Sequence, residues 1–167
     1  MKVNTSIEEY EPRFHGFHDL MQFHIREILI VSSLYDSFIL EEDGQLSENI
    51  FSDYFDLNLS YAPRITRVST GEQALEIINT RPFDLIITMM RLSDMDIHTF
   101  GKRVKQANPN IPVVLLAYES DVSSQSLKSK NVPGIDKIFV WTGDTKILLA
   151  ITKLMEDKLN VSHDTLF

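Results

Sequence analysis

The chain has 167 residues, 43% of them hydrophobic, which is enough to bury the core of one domain and too apolar for a disordered chain. It has no cysteine, which excludes a disulfide framework, a thiol nucleophile and cysteine-ligated zinc. A formal charge of -8 repels nucleic-acid phosphates and anionic lipid, so neither is expected as a partner.

Residues 1–24 read as an N-terminal arm, polar at first and then rich in aromatic residues and histidine. Phe17, Leu20 and Met21 have the spacing of a short amphipathic helix. The arm has no apolar leader, and no run in the chain is long enough to span a membrane, so a cytoplasmic protein is expected. A regular alternation follows. Ile28–Val31 is a short buried strand ended by Ser32 and Ser33. Leu34 to Gln45 then reads as a long connection, and Leu46, Ile50 and Tyr54 predict the first helix, with Phe51 and Phe55 alongside.

Ile65–Val68 is a weaker strand, and Thr70 to Gln73 is a capping-box pattern opening a helix that carries Ala74, Ile77 and Ile78 on one face. Arg81-Pro82 stops that helix. Asp84 to Thr88 is a buried strand, followed by a helical face of Ile97, Phe100, Val104 and Ala107 that Pro109 closes. Ile111 to Leu116 is a strand with a proline where a missing N–H does least harm. Residues 121–131 are polar and weakly helical, and Asp136 to Trp141 is the last strand. Asp144 or Thr142 caps a final helix with the stripe Ile147, Ile151, Leu154 and Met155, and 160–167 is an unpatterned, frayed tail.

Five apolar strands separated by helices must lie parallel and be covered on both faces. The fold class is therefore α/β, a (βα)5 doubly wound parallel five-stranded sheet in a flavodoxin-like three-layer sandwich, spanning 25–159. In such sheets chemistry sits at the carboxyl ends of the strands.

The stretch from Asp84 to Asp96 resembles the segment of bacterial response-regulator receiver domains that ends their third strand and turns into the third helix. Gly71 to Ile78 is similar to that family's second helix, and Ile111 to Ala117 to its fourth strand. The resemblance implies a pocket at the strand ends with two acidic metal ligands, an aspartate phospho-acceptor, a hydroxyl and a lysine. Each of those positions is altered. The acidic pair aligns with Ser32 and Ser33, the acceptor with Met89, the hydroxyl with Ala117, the lysine with Trp141 and the aromatic switch residue with Ile138. A thioether cannot carry a phosphoryl group, and two serines are poor Mg²⁺ ligands without carboxylates. A one-residue slip would put Thr88 or Met90 at the acceptor position, and neither is an aspartate.

The resemblance thus implies a degenerate, pseudo-receiver type: not an enzyme, without a resident cofactor, acting as a regulatory module. Its expected partner is a protein or a second copy, through the fourth helix, fifth strand and last helix, about Asp121 to Leu159. The arm together with Arg26 to Phe38 is also similar to the leading region of multidomain proteins of the phosphoenolpyruvate synthase and pyruvate phosphate dikinase type.

Two other functions compete. Glu41, Glu42 and Asp43 could stand in as Mg²⁺ ligands of an unconventional phospho-accepting receiver, or be a solvated acidic loop. A flavodoxin-type domain would instead hold a small ligand near Ser32, Ser33 and Thr88. Asp36, Asp94 and Asp96 also lie near strand ends, the last two at positions suited to helix capping. His15, His18 and His24 offer imidazoles at a spacing zinc sites use, but packed or solvated histidines are the simpler account. Trp141, the sole tryptophan, either stacks a planar ligand or fills space left by the absent lysine and aspartate. There is no glycine-rich phosphate loop and no nucleophile elbow.

Overall fold

The computed structural model describes residues 24–42, 62–119, 132–142 and 146–164. Five parallel strands form one sheet: β1 (Glu27–Val31), β2 (Arg64–Val68), β3 (Leu85–Met89), β4 (Val113–Tyr118) and β5 (Lys137–Trp141), in the order β2-β1-β3-β4-β5. The described helices are α1 (Leu34–Glu42), α2 (Gly71–Thr80), α3 (Ile97–Ala107) and α4 (Ile147–Asp164). This is the expected α/β sandwich.

Strand alternation sorts the apolar side chains to two faces. One face gathers Ile28, Ile30, Leu85, Ile87, Met89, Val114, Leu116 and Trp141 with Leu148, Ile151 and Met155 of α4. The other gathers Leu29, Val31, Ile86, Val113, Leu115 and Ala117 with Ala74 and Leu75 of α2 and Ile97, Phe100 and Val104 of α3. The central strands are buried on both sides, which is why they read as unbroken apolar runs.

The amino edge of the sheet is held by carboxylates that accept backbone N–H groups. Asp84 Oδ2 accepts from Arg26 and Glu27, both at 2.9 Å. Asp136 Oδ2 accepts from Val113 at 2.7 Å and pairs with Lys105. Glu156 Oε1 accepts from Ile25 at 3.0 Å, and its Oε2 pairs with Lys153. Each satisfies a strand-leading donor that would otherwise be orphaned.

Several expectations are corrected. No long connection follows β1, because α1 starts at Leu34. Ser33 Oγ accepts the Asp36 N–H at 3.1 Å and donates to Asp36 Oδ2 at 2.9 Å, a capping arrangement that starts the helix at once. Glu41 and Glu42 therefore fall in the last turn of α1 rather than in a loop. The proline-led strand begins at Val113, after Pro112, and runs on to Tyr118. In α4 the buried face is Leu148, Ile151, Thr152, Met155 and Glu156, while Leu154 is exposed. Ala107, expected on the buried face of α3, is exposed. α4 also continues to Asp164, past Asn160, whose side chain donates to the Glu156 carbonyl. The expected helix at Leu46 to Phe55, the weak helix at 121–131, Asp43, Asp144, His15 and His18 lie outside the described residues.

Candidate functional site

The carboxyl ends of the strands bring together the residues that the sequence singled out. Ser32 leaves β1 with its N–H donated to the Val68 carbonyl at 3.1 Å, which extends the β1–β2 pairing by one step. Met89 is the last residue of β3 and lies opposite Leu116 of β4. Thr88 lies opposite Val31 and Leu115, inside the sheet, with its hydroxyl donated to the Met89 carbonyl. Met90 follows the strand and is half-buried.

Ala117 lies opposite Val140, and Tyr118 opposite Trp141. Met89 and Trp141 are buried in the same apolar cluster, beneath α4. Ala117 belongs to the opposite face, where half-buried Ile138 packs as well. The five positions therefore share an edge, but the sheet divides them between two faces.

The polar groups of this edge satisfy one another. Ser32 Oγ and Ser37 Oγ are 2.6 Å apart and share a hydrogen bond. Ser33 is tied to Asp36 as described, and the Tyr118 hydroxyl donates to Asp36 Oδ1 at 2.8 Å. The Tyr118 ring stands 5.4 Å from that of Trp141, tilted by 41°. Asp36 is buried, and among the described residues no cation pairs with it. Its two oxygens are served by hydroxyls. Sequence reading named Asp36 only as a nearby acid and missed Tyr118. The Ser33-x-x-Asp36 spacing of a capping pair was the available signal for the first, and nothing local marks the second.

Two further acids are helix caps. Asp96 caps α3, accepting the Thr99 N–H at 2.8 Å. Asp94 does not cap the helix that follows it. It accepts the N–H groups of Gly71 and Glu72, each at 2.9 Å, and so caps α2 from the turn after β3. Burial pushes the Asp94 carboxyl up, but the N–H groups of Glu72, Gly71 and Asp94 itself, with Arg103 nearby, hold it below the usual carboxylate range. The Thr99 N–H and hydroxyl do the same for Asp96. Among the described residues no three histidine, aspartate or glutamate side chains stand together to hold a metal. His24 is half-buried just before Ile25, at the opposite edge.

A groove of about 770 Å³ runs beside β2, the edge strand, between α1 and α2. Leu34, Phe38, Arg67, Gln73 and Ile77 line it. It does not reach the strand ends where Met89 and Trp141 lie. Among the described residues no helix is long and apolar enough to cross a membrane.

Residues 38–139 match the family model of the response regulator receiver domain. The chain is 38% identical over 68 residues to the transcriptional regulatory protein ZraR of Klebsiella oxytoca, covering 40% of this chain and 15% of that protein. It thus spans only a small part of the length of that relative. In structure it is similar to the receiver domain of the sensor histidine kinase PA1611 from Pseudomonas aeruginosa PAO1, solved with a magnesium ion in its active-site cleft (TM-score 0.60, 16% identity, 79% of this chain and 98% of that one). It is similar, too, to the receiver domain of NtrX from Brucella abortus (TM-score 0.59, 18% identity, 78% and 98%).

Proposed function

The chain belongs to the response-regulator receiver domain family of two-component signalling, and on that premise we propose that it is a pseudo-receiver: a regulatory module that accepts no phosphoryl group and works by docking. The carrying observation is the burial of Met89 and Trp141 in one apolar cluster at the strand ends. Phosphoryl acceptance at the end of β3 needs an anionic nucleophile there, hard ligands for a metal, and a cation for the developing charge. Met89 is 1% exposed and Trp141 is 6% exposed, both in one apolar cluster. Ser32 and Ser33 supply only hydroxyls, and these are engaged by Ser37 and Asp36. The altered positions themselves bury no charge, and the one buried acid beside them, Asp36, is held by the Ser33 and Tyr118 hydroxyls.

On this reading the chain catalyses nothing, needs no Mg²⁺ and operates in the cytoplasm. Its output is a protein contact or a homodimer through the face of about Asp121 to Leu159. In the described part of that face, Val140 and Leu154 are the exposed large apolar side chains. With a net charge of -8, a protein surface suits it better than nucleic acid or membrane. A longer parent protein with phosphotransfer domains behind this module is part of the proposal, supported by the similarity of the arm and of Arg26 to Phe38.

The test is the intact mass of the protein after incubation with Mg²⁺ and acetyl phosphate. The expected result is no added phosphoryl group. Stoichiometric, Mg²⁺-dependent addition would overturn the reading and turn attention to Asp36, Asp94 and the acids at 41–43.

A further inference from the structure

Three elements that are far apart in sequence meet at one side chain on the carboxyl edge. Tyr118 is the last residue of β4, Trp141 is the last residue of β5, and Asp36 lies in the first turn of α1. The Tyr118 hydroxyl holds Asp36 across 82 residues of chain, and its ring lies against Trp141, its register partner. The bond closes a network, since the other Asp36 oxygen is taken by Ser33, the N-cap of the same helix.

The energetics make this bond more than one contact among many. A buried carboxylate without a cation depends on its hydrogen bonds, and removing one donor leaves an acceptor desolvated and unserved. Asp36 is 6% exposed. If Tyr118 lets go, Asp36 must find water. Movement of the end of β4 away from α1 would open it to water, and the same movement would take the ring off Trp141. The hydroxyl bond and the ring contact therefore break together.

We propose that Asp36 and Tyr118 form a conformational clamp. It holds the carboxyl ends of β4 and β5 against α1 in one arrangement. The docking face that starts on β5 and continues onto α4 is thereby held in a single conformation. That last consequence rests on the docking reading above. The clamp itself does not, because Trp141 reports on it directly. Tyr118 is a positioning residue here, acting through Asp36 and Trp141.

Trp141 is the sole tryptophan, so the intrinsic fluorescence of the full chain has one source. Tyr118→Phe keeps the ring and removes the donor. It is expected to shift Trp141 emission to the red and to raise its quenching by acrylamide. Amide exchange at the carboxyl ends of β4 and β5 is expected to rise about tenfold, as one lost hydrogen bond of ordinary strength implies, while exchange at the centre of β3 stays unchanged. Asp36→Ala reaches the same state from the other side, and keeps the test open if Tyr118→Phe folds poorly. The double variant is expected to be no worse than either single one. Unchanged Trp141 emission and quenching in both single variants would overturn the clamp. So would a rise in exchange spread evenly over the sheet, or additive effects in the double variant. The mass experiment on the unaltered chain tests the pseudo-receiver reading separately, so the two can fail independently.

Discussion

Asp94 caps a helix that begins 23 residues before it: its two carboxylate oxygens accept the Gly71 and Glu72 N–H groups at 2.9 Å each. The turn after β3 is thereby fastened to the start of α2, and Arg103 of α3 pairs with Glu72 beside it. Met95 packs against Gly71 at the same junction, where a side chain at position 71 would meet its sulfur.

This cap predicts a pH dependence. Asp94 has its pKa lowered in the folded protein, and so has Asp96. An unfolded aspartate titrates near 3.9, so between that value and the lower folded one the unfolded chain binds more protons. The stability from these caps is fully present above about pH 4 and is lost as pH falls through the folded values. Asp94→Asn is expected to be less stable at neutral pH, since the charge at the α2 N-terminus is gone, and to lose less stability between about pH 4 and pH 2. Urea unfolding across that range gives both slopes. Parallel curves for the two proteins would mean that Asp94 holds no such cap in solution.

Gly101 of α3 lies against the turn formed by Pro133 and Gly134, which leads into β5. A Cβ at position 101 would overlap the Pro133 carbonyl oxygen, and Gly134 has a φ of +77°, a left-handed value that favours glycine. Backbone meets backbone here, so neither side can yield cheaply. Gly101→Ala should lower stability by about 1–3 kcal/mol despite the better helix propensity of alanine. Lys102→Ala, on the exposed side of the same helix, should change it by less than about 0.5 kcal/mol. Urea midpoints compare the two, and a neutral Gly101→Ala would show that the turn can retreat from the helix.

On the proposed reading, an aspartate at position 89 should not by itself give phosphoryl acceptance. Met89→Asp puts a carboxyl into the apolar cluster beneath α4 that also holds Trp141. Burial raises the pKa of such a group. The folded state then holds the proton at pH values where the unfolded chain has lost it, so stability falls as pH rises above about 3.9. The loss at neutral pH should be about 3–5 kcal/mol, the scale for an uncompensated buried charge. Acetyl phosphate with Mg²⁺ should add no phosphoryl mass to this variant. A stable Met89→Asp protein that gains one phosphoryl group would show that the strand-end machinery is still in place.

Much of the fold was legible because its signals are local. Alternation of strand and helix follows from apolar runs cut by Ser32-Ser33, Arg81-Pro82 and Pro109, and Thr70 caps α2 as its spacing predicts, with Gln73 donating its N–H at 3.1 Å. Even there the reciprocal half differs. Gln73 Oε1 accepts from Ser69, not from Thr70, because the turn before the helix presents both Ser69 donors to it. In α4, Ile151 and Met155 of the expected stripe are buried and Ile147 packs against the same cluster, but Leu154 is exposed while Leu148, Thr152 and Glu156 are buried, because sequence periodicity cannot tell which side of a broad stripe the strands will meet.

The sequence by itself determined the parallel sheet and the residues that occupy its carboxyl edge, Ser32, Ser33, Met89, Ala117 and Trp141. The succession of strands and helices, and hence which residues end each strand, follows from spacing along the chain. Only the tertiary structure decided what those residues meet. It buried Met89 with Trp141, turned Ala117 to the other face, and sent Asp94 to the N-terminus of α2. It also joined Asp36 to Tyr118. The physical reason is that a hydrogen bond or a packed ring depends on distance in space. Partners 82 residues apart in sequence leave no periodic trace of their meeting.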